Sequence, residues 1–597
     1  MVAAEEDEHL RNVEIALLKL LDDDIAQADK ILKEKDSAFH HLGRGISSFI
    51  ASMLGVEKEL LKEAAATLQV AENKTWDDMK KAQKESTAFQ STIYPPGTEY
   101  LLCYAIAQLT SAITAVLSGS VTEAIRGFYK LRKAYLTLDG IMDIETKYLK
   151  RMSGYQAGSH VPQRVSTSHL NEHEKGAPLA TRTSGSTRNS KEFAGEKDHT
   201  YEPIHVPSRS TTNGSANMER LTPASSLGHA PSRVRSNLLE QDPAALGITS
   251  HTDIFIHSGT RLCYGILLVV FSMIENPIFN KILYIVGFKG DRVRGTRYLW
   301  EASRFNNFCS AISGIALLGY YNGLVGFCDI LPTDPGADDD LSGYPKRKCE
   351  ALLADMLKKY PESKLWKLEQ ARMNGYNKNL PAAVRILASN SDGNMKQIAT
   401  INMFELSLTT MFTHEYQLCA DSWMKCADLS SWSPTLYAYL TGSCFLELYR
   451  NLRQSDPVAA KSYKHKSIEY IRKGPPLAGR QKVMSKELPF DIYIVRKVKK
   501  WEERAKDWNV DLVDAIGVSP LAEMIYLWNG VKKQSTEELQ KNLDILQWER
   551  TSHLEKFKTD LDEVAIYALL EACVLRNMHK YDESRAILKK EILSHSK

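Results

Sequence analysis

His414 and Glu415 stand side by side, as at the start of the helix with which a zinc protease holds its metal. That chemistry needs a second imidazole one turn on, so that both rings meet on one face, and position 418 is Leu418. His414 therefore reads as a hydrated helix residue. His40 and His41 are adjacent, so on a helix their rings point about 100° apart and cannot share an ion. Cys419 and Cys426 lie two turns apart on one face, too far for one ion without other ligands. Gly43-Arg44-Gly45 opens like a dinucleotide-binding turn but continues as ISSF, with no third glycine in register. No G-x-x-x-x-G-K-[ST] loop and no G-x-S-x-G elbow occurs. The residues predict no catalytic group, no cofactor and no metal. The nine cysteines include no C-x-x-C pair, which suits free, buried thiols in a reducing compartment.

Charge excludes further classes. Lys and Arg total 76 against 73 Asp and Glu, so no strong field draws the chain to nucleic acid or an acidic membrane. The basic run Ile494–Lys506, IVRKVKKWEERAK, is interrupted by Glu502 and Glu503 and reads as a solvated amphipathic face rather than a phosphate-binding surface. The start, MVAAEEDEHL, is acidic before it is apolar, the reverse of a signal peptide, and predicts a cytosolic chain. Two apolar segments stand out. Leu262–Ile274 is shorter than the roughly 20 residues a bilayer core requires. Phe308–Ile330 is long enough but carries Ser310, Ser313, Asn322 and Asp329. Both are expected to be buried helices, with membrane contact at most peripheral.

The elements that would position such residues are helices. Leu10, Val13, Leu17, Leu18 and Leu21 recur at helical spacing. Phe490–Val495, FDIYIV, alternates at period two, but Pro489 and its helical surroundings argue against a strand. The expected class is all-α. Small residues also recur twelve apart across a polar turn, with a large apolar residue four further on, as in tetratricopeptide hairpins. There the small pair permits close helix approach and the large residue fills the groove behind. Ala16/Ala28 with Leu32, Ala112/Ala124 with Phe128, Ala371/Ala383 with Leu387, and Ala572/Ser584 with Leu588 fit this spacing; Ser407/Cys419 with Trp423 fits more loosely. A helical-hairpin repeat array follows. Residues 152–250, rich in Ser, Thr, Gly and Pro, lack any apolar period and are expected to form a long disordered insert. The expected organisation is a helical-hairpin region over 1–151, the insert over 152–250, an apolar helical region over 251–330, a Pro/Asp-rich loop over 331–345, and helical repeats over 346–597.

One stretch carries a family signature. Gly287-Phe288-Lys289-Gly290-Asp291-Arg292 is followed by Gly295, Leu299 and Trp300, and preceded by FSMIENPIF at Phe271–Phe279. With PGTEYLLCYAIAQL, KYPESKLWKLEQARM and LLEACVLRNMHKYDESRAIL elsewhere, the chain resembles the fungal inclusion-body clearance proteins, which share a domain with the animal tetratricopeptide-repeat thirty-nine proteins. Glu275 and Asn276 stand where family members tend to be leucine-rich. The resemblance implies a non-enzymatic scaffold of cytoplasm and nucleus that associates with inclusion-body and lipid-droplet proteins and helps clear aggregates after folding stress. On physical grounds Gly287 and Gly290 permit a bend between helices, and Asp291 caps the helix that follows. The alternative function is lipid or sterol handling, with segments 262–286 and 308–330 walling a cavity or docking on a droplet.

Overall fold

A left-handed turn residue recurs at the same place in hairpin after hairpin. Asp23, Lys378, His414 and His579 have φ of 67°, 58°, 62° and 63°. Each stands seven residues after the first small residue of its pair: Ala16, Ala371, Ser407 and Ala572. In each case the next amide reaches back across the helix end, Asp24 to Lys19, Asn379 to Asn374, Glu415 to Thr410 and Lys580 to Leu575, at 2.9–3.0 Å. This αL closure satisfies a carbonyl that the helix end would otherwise leave bare. Two turns even share side-chain chemistry. His414 Nδ1 lies 3.1 Å from the Tyr416 hydroxyl, and His579 Nδ1 lies 2.8 Å from that of Tyr581. The residue that resembled a zinc ligand is thus a turn residue.

The computed structural model describes residues 2–55, 58–118, 120–158, 247–274, 283, 287–331, 343–390, 393, 395–480, 482–483 and 486–595. It is all-α, a helical-hairpin array, apart from a minimal hairpin pairing Lys482–Val483 with Lys486–Glu487. The first half comprises α1 (Val2–Leu21), α2 (Ile25–Lys33), α3 (Ala38–Gly55), α4 (Lys58–Ala82), α5 (Thr98–Leu117), α6 (Val121–Gly158), α7 (His251–Ser272), α8 (Arg292–Ala302) and α9 (Phe308–Leu318), which continues as a π-helix over Gly319–Val325. Then come α10 (Lys346–Lys359), α11 (Lys364–Tyr376), α12 (Leu380–Ser389), α13 (Lys396–Phe412), α14 (Tyr416–Leu429), α15 (Pro434–Leu452) and α16 (Pro457–Lys473). The last are α17 (Pro489–Trp508), α18 (Pro520–Leu527), α19 (Thr536–Leu546), α20 (Leu554–Lys558), α21 (Leu561–Asn577) and α22 (Tyr581–Glu591). FDIYIV lies in α17, which Pro489 opens at the one turn where its missing N–H costs nothing. One unit comprises Met1–Ser153 and Leu238–Lys597; the other, Gly154–Asn237, falls almost wholly outside the described residues. Most of the expected insert and of the 331–345 loop also lies outside them. The helix α6 runs through Gly158, beyond the expected start of the insert, and Ser250 serves as the N-cap of α7.

Two hydrophobic cores meet at α11. The first gathers side chains from Leu10 to Met373, and so includes Cys349, Met356 and Trp366 from beyond the expected loop; the second runs from Leu368 to Val574. Three helical stretches, Thr98–Leu117, His251–Ser272 and Phe308–Val325, are long and apolar enough to cross a membrane by length and composition. Their most apolar windows are 72%, 83% and 56% buried within the fold, so most of that surface is already covered by protein. The α7 segment is longer than its apolar run predicts, because its buried polar side chains are partnered: Asp253 accepts from Ser91, and His257 and Arg261 lie against each other.

Ala16, Ala28, Ala371, Ala383, Ala572 and Ser584 are all buried. The Ser584 hydroxyl donates to Ala572 O at 2.8 Å, and the Cys419 thiol to Ser407 O at 3.4 Å. Enlarging one member of such a pair drives a side chain into the facing helix. Ala383→Leu is expected to cost about 1–3 kcal/mol, read as a lower urea midpoint with unchanged slope; an unchanged midpoint would place Ala383 outside the crossing. At the α5/α6 turn the close approach lies elsewhere. Ala112 is buried but Ala124 is only half-buried. A Cβ on Gly127 would sit 3.0 Å from Ala112 O and from Ala115 Cβ, so Gly127 is the small residue there.

Candidate functional site

The signature residues form the bend that carries the chain into α8, against the end of α7. Phe288 is buried and packs edge-on to Phe128 and Tyr135, with ring centroids 5.8 and 5.0 Å away, and against Phe271 at 4.8 Å. One aromatic side chain thus ties the bend to α6 and α7. Gly287 has φ +92° with open space around it, so its need for glycine is one of backbone conformation. Gly290 is different. A Cβ there would lie 2.3 Å from Ser272 N and 2.6 Å from Phe271 C, so glycine allows backbone to touch backbone. The Asp291 amide donates to Leu268 O at 3.1 Å and fixes that approach.

Asp291 is extended and caps α8, its Oδ1 accepting from Arg294 N at 2.9 Å. The cap predicts a simple pattern. Asp291→Asn should leave stability nearly unchanged, and Asp291→Ala should cost about 1 kcal/mol, both measured by chemical unfolding. Equal losses in the two variants would point to the charge rather than the cap. Lys289 and Arg292 are exposed beside it.

Beyond the cap, α7 and α8 cross at a pair of glycines. A Cβ on Gly265 would lie 3.0 Å from Gly295 O, and one on Gly295 would lie 2.8 Å from Gly265 O. Leu299 is buried and Trp300 half-buried further along α8. Arg294 bonds the Tyr298 hydroxyl at 2.8 Å, its guanidinium 5.3 Å from that ring's centre and 5.8 Å from that of Tyr264. The Tyr264 hydroxyl in turn donates to Asp139 on α6 at 2.6 Å.

A buried ionic network stands behind this crossing. Arg261 of α7 donates from Nη2 and Nη1 to the Glu145 carboxylate of α6 at 2.6 and 2.8 Å, and from Nε to Glu301 of α8 at 2.6 Å. The Tyr94 hydroxyl donates to Glu145 at 2.9 Å, and His257 Nδ1 lies 2.9 Å from Arg261 Nη1. All these side chains are buried. Burial alone would raise the proton affinity of Glu145, but the Arg261 charge and His257 outweigh it and hold the carboxyl well below the usual carboxylate range. Burial and then the Arg261 charge lower that of His257. The arrangement locks α6, α7 and α8 together. It contains no nucleophile–base pair aimed at open space, so its chemistry is positional.

Three of the six basic residues in the run on α17 are likewise engaged with other helices. Lys497 pairs with Glu523 at 2.8 Å, Lys500 with Asp562 at 2.7 Å, and Arg504 with Glu563 and Asp560 at 2.9 and 2.7 Å. These cations hold α17 to α18 and α21. Among the described residues, no group of three or more His, Cys, Asp or Glu side chains is arranged to hold a metal ion.

Comparison with known proteins gives this architecture a family. The model of Iml2/Tetratricopeptide repeat protein 39 matches residues 14–578. A protein of Sclerotinia sclerotiorum named inclusion body clearance protein iml2 is 60% identical over 570 residues, covering 96% of this chain and 85% of its own length. Proteins of the same name from Aspergillus niger and Yarrowia lipolytica are 41% and 31% identical, covering 98% and 97% of this chain and 82% and 81% of their own lengths. No solved structure matches. A family match across almost the whole array, with relatives this similar over most of both chains, means that the chain belongs to the Iml2/tetratricopeptide repeat protein 39 family.

Proposed function

We propose that the chain is a non-enzymatic scaffold that takes part in clearing protein aggregates after folding stress. The observation that carries this reading is the 60% identity, over most of both chains, to a protein named for inclusion body clearance. The geometry supports the non-enzymatic part, because the side chains that could do chemistry have structural employment. His414 closes a hairpin turn, Arg261 and Glu145 lock three helices, and Lys497, Lys500 and Arg504 of α17 are paired within the fold. The partners in this reading are proteins of inclusion bodies and lipid droplets, met in the cytoplasm and nucleus, with no nucleic acid and at most peripheral membrane contact. The expected insert between α6 and α7 serves as a tether.

Lipid or sterol handling is the weaker alternative. A cavity of about 70 Å3 lies among α1, α3, α5, α7 and α9, lined by side chains such as Leu10, Phe39, Ile106, Leu262 and Phe308. A ligand pocket for such a molecule needs at least about 300 Å3. The test is a cell lacking this protein. Fluorescent inclusions formed by brief heat stress should disappear more slowly there, and the full chain should restore the rate. Unchanged clearance in the deletion would overturn the proposal. Stoichiometric sterol or acyl lipid in the purified protein would favour the alternative.

A further inference from the structure

The first half of α1 is held to α7 by charge above an incompletely filled core. His251 opens α7 and sits between two carboxylates of α1, its Nδ1 3.1 Å from Asp7 Oδ1 and its Nε2 2.8 Å from Glu14 Oε2. The Thr252 hydroxyl adds a 3.4 Å bond to Asp7. Leu10, Val13 and Leu17 of the same helix line the 70 Å3 cavity, so packing there is loose.

Further acid groups crowd the junction with α5. The Tyr100 hydroxyl donates to Glu6 Oε1 at 2.6 Å. Glu99 is 2% exposed, and its Oε1 has no hydrogen-bond partner among the described residues; Glu6 Oε2 and Glu14 Oε1 are buried in the same condition. Asp253 of α7 also acts on Glu99, while accepting from Ser91 at 2.6 Å. Two carboxylates, Asp7 and Glu14, therefore flank the imidazole, and Glu6 and Asp253 act on the buried Glu99 where α1, α5 and α7 meet.

We propose that this cluster is a proton-operated latch, in which protons held at His251 and Glu99 keep the first half of α1 docked and their loss lets it open.

Both groups act in the same direction. Burial opposes the His251 charge, but Glu14 and Asp7 outweigh it, so the imidazole holds its proton to higher pH than an ordinary histidine. Its contribution is complete below the ordinary value of about 6.5 and is lost as pH rises through the raised one. Burial first, with Glu6 and Asp253 nearby, raises Glu99 to about 7. Glu99 therefore weakens docking progressively as pH rises from the ordinary carboxyl range to about 7.

The neighbours set the useful window. On α1, Arg11 pairs with Asp7 and opposes the His251 charge. Asp78 of α4 acts on Tyr100, and the Cys103 thiol of α5 feels Glu99. Cys309 of α9 and Tyr360 lie within the field of Glu14. His40 of α3 stacks edge-on to His9 of α1. Burial first, then His9, Arg44, Lys35 and His41, lowers His40 to about 4. His40 therefore weakens docking only as pH falls below about 6.5. Asp7 is lowered despite its burial, because Arg11 and His251 favour its charge, and matters only at still lower pH. Above pH 6.5 the response belongs to His251 and Glu99.

Amide hydrogen exchange on the full chain at about pH 6.5 and 8.5 tests the latch, with rates corrected for intrinsic pH dependence. Amides of residues 5–14 should lose protection at the higher pH, while those of α15 keep theirs. His251→Gln should leave α1 open at both pH values. Glu99→Gln, which cannot ionise, should show a smaller loss even if His251→Gln fails to fold. Equal wild-type protection of residues 5–14 at the two pH values would overturn the proposal, as would a full response in either variant.

Discussion

Arg261→Met is expected to destabilise the protein by about 3–5 kcal/mol, the usual cost of removing one partner from a buried ion pair. The reason lies in what remains behind. Glu145 is 1% exposed and Glu301 6% exposed, and both carboxylates would stay in the core without the guanidinium that answers them. The methionine fills much of the space but donates nothing. Against a typical total of about 5–15 kcal/mol for a folded domain, the loss should appear as a large fall in the urea midpoint and in cellular abundance. Replacing Glu145, Arg261 and Glu301 together by apolar residues should cost less than the single change, because no buried charge is then orphaned. A loss below about 1 kcal/mol for Arg261→Met would mean that water reaches the network and that it does not lock α6, α7 and α8.

Gly290→Ala is the second large effect. The added carbon would meet Ser272 N at 2.3 Å and Phe271 C at 2.6 Å, and backbone atoms cannot rotate away as a side chain can. The bend must lift off α7, taking Phe288 out of its aromatic pocket and loosening the Asp291 amide from Leu268 O. The expected cost is at or above the upper end of the roughly 1–3 kcal/mol for overpacking. Gly287→Ala makes the internal control. Its surroundings are open, so it should cost only the left-handed backbone penalty of about 1–2 kcal/mol. Thermal or urea unfolding ranks the two. The reverse order would mean that the chain approaches α7 less closely than this geometry requires.

The hairpin repeat was legible because its physics is local. Two small residues twelve apart must face each other if the intervening turn has a fixed length, and Ser584 with Ala572 does so through a direct hydrogen bond. The same rule failed by one helical turn at α5/α6. Gly127 stands three residues after Ala124 on the same face, and spacing alone does not say which of the two the neighbour approaches. The α15/α16 hairpin falls outside the twelve-residue pattern because its small residues, Gly442 and Ser467, lie 25 apart. Asp291 was readable as a cap because capping is decided within three residues. The network around Arg261 was not. Glu145 is 116 residues away and Glu301 is 40, and no local rule joins them. One signal was present in retrospect, a single arginine just before an apolar run, which a buried helix tolerates only when partners are waiting.

We propose that the Gly287–Arg292 bend organises the α7/α8 core and is not itself the functional surface. Inclusion clearance in cells that carry Asp291→Asn as their only copy tests it most directly, with abundance matched to wild type. Asparagine keeps the cap and removes the charge, so clearance should proceed at the wild-type rate. A folded, equally abundant Asp291→Asn protein that no longer clears inclusions would contradict the account and make this bend the place where the protein acts.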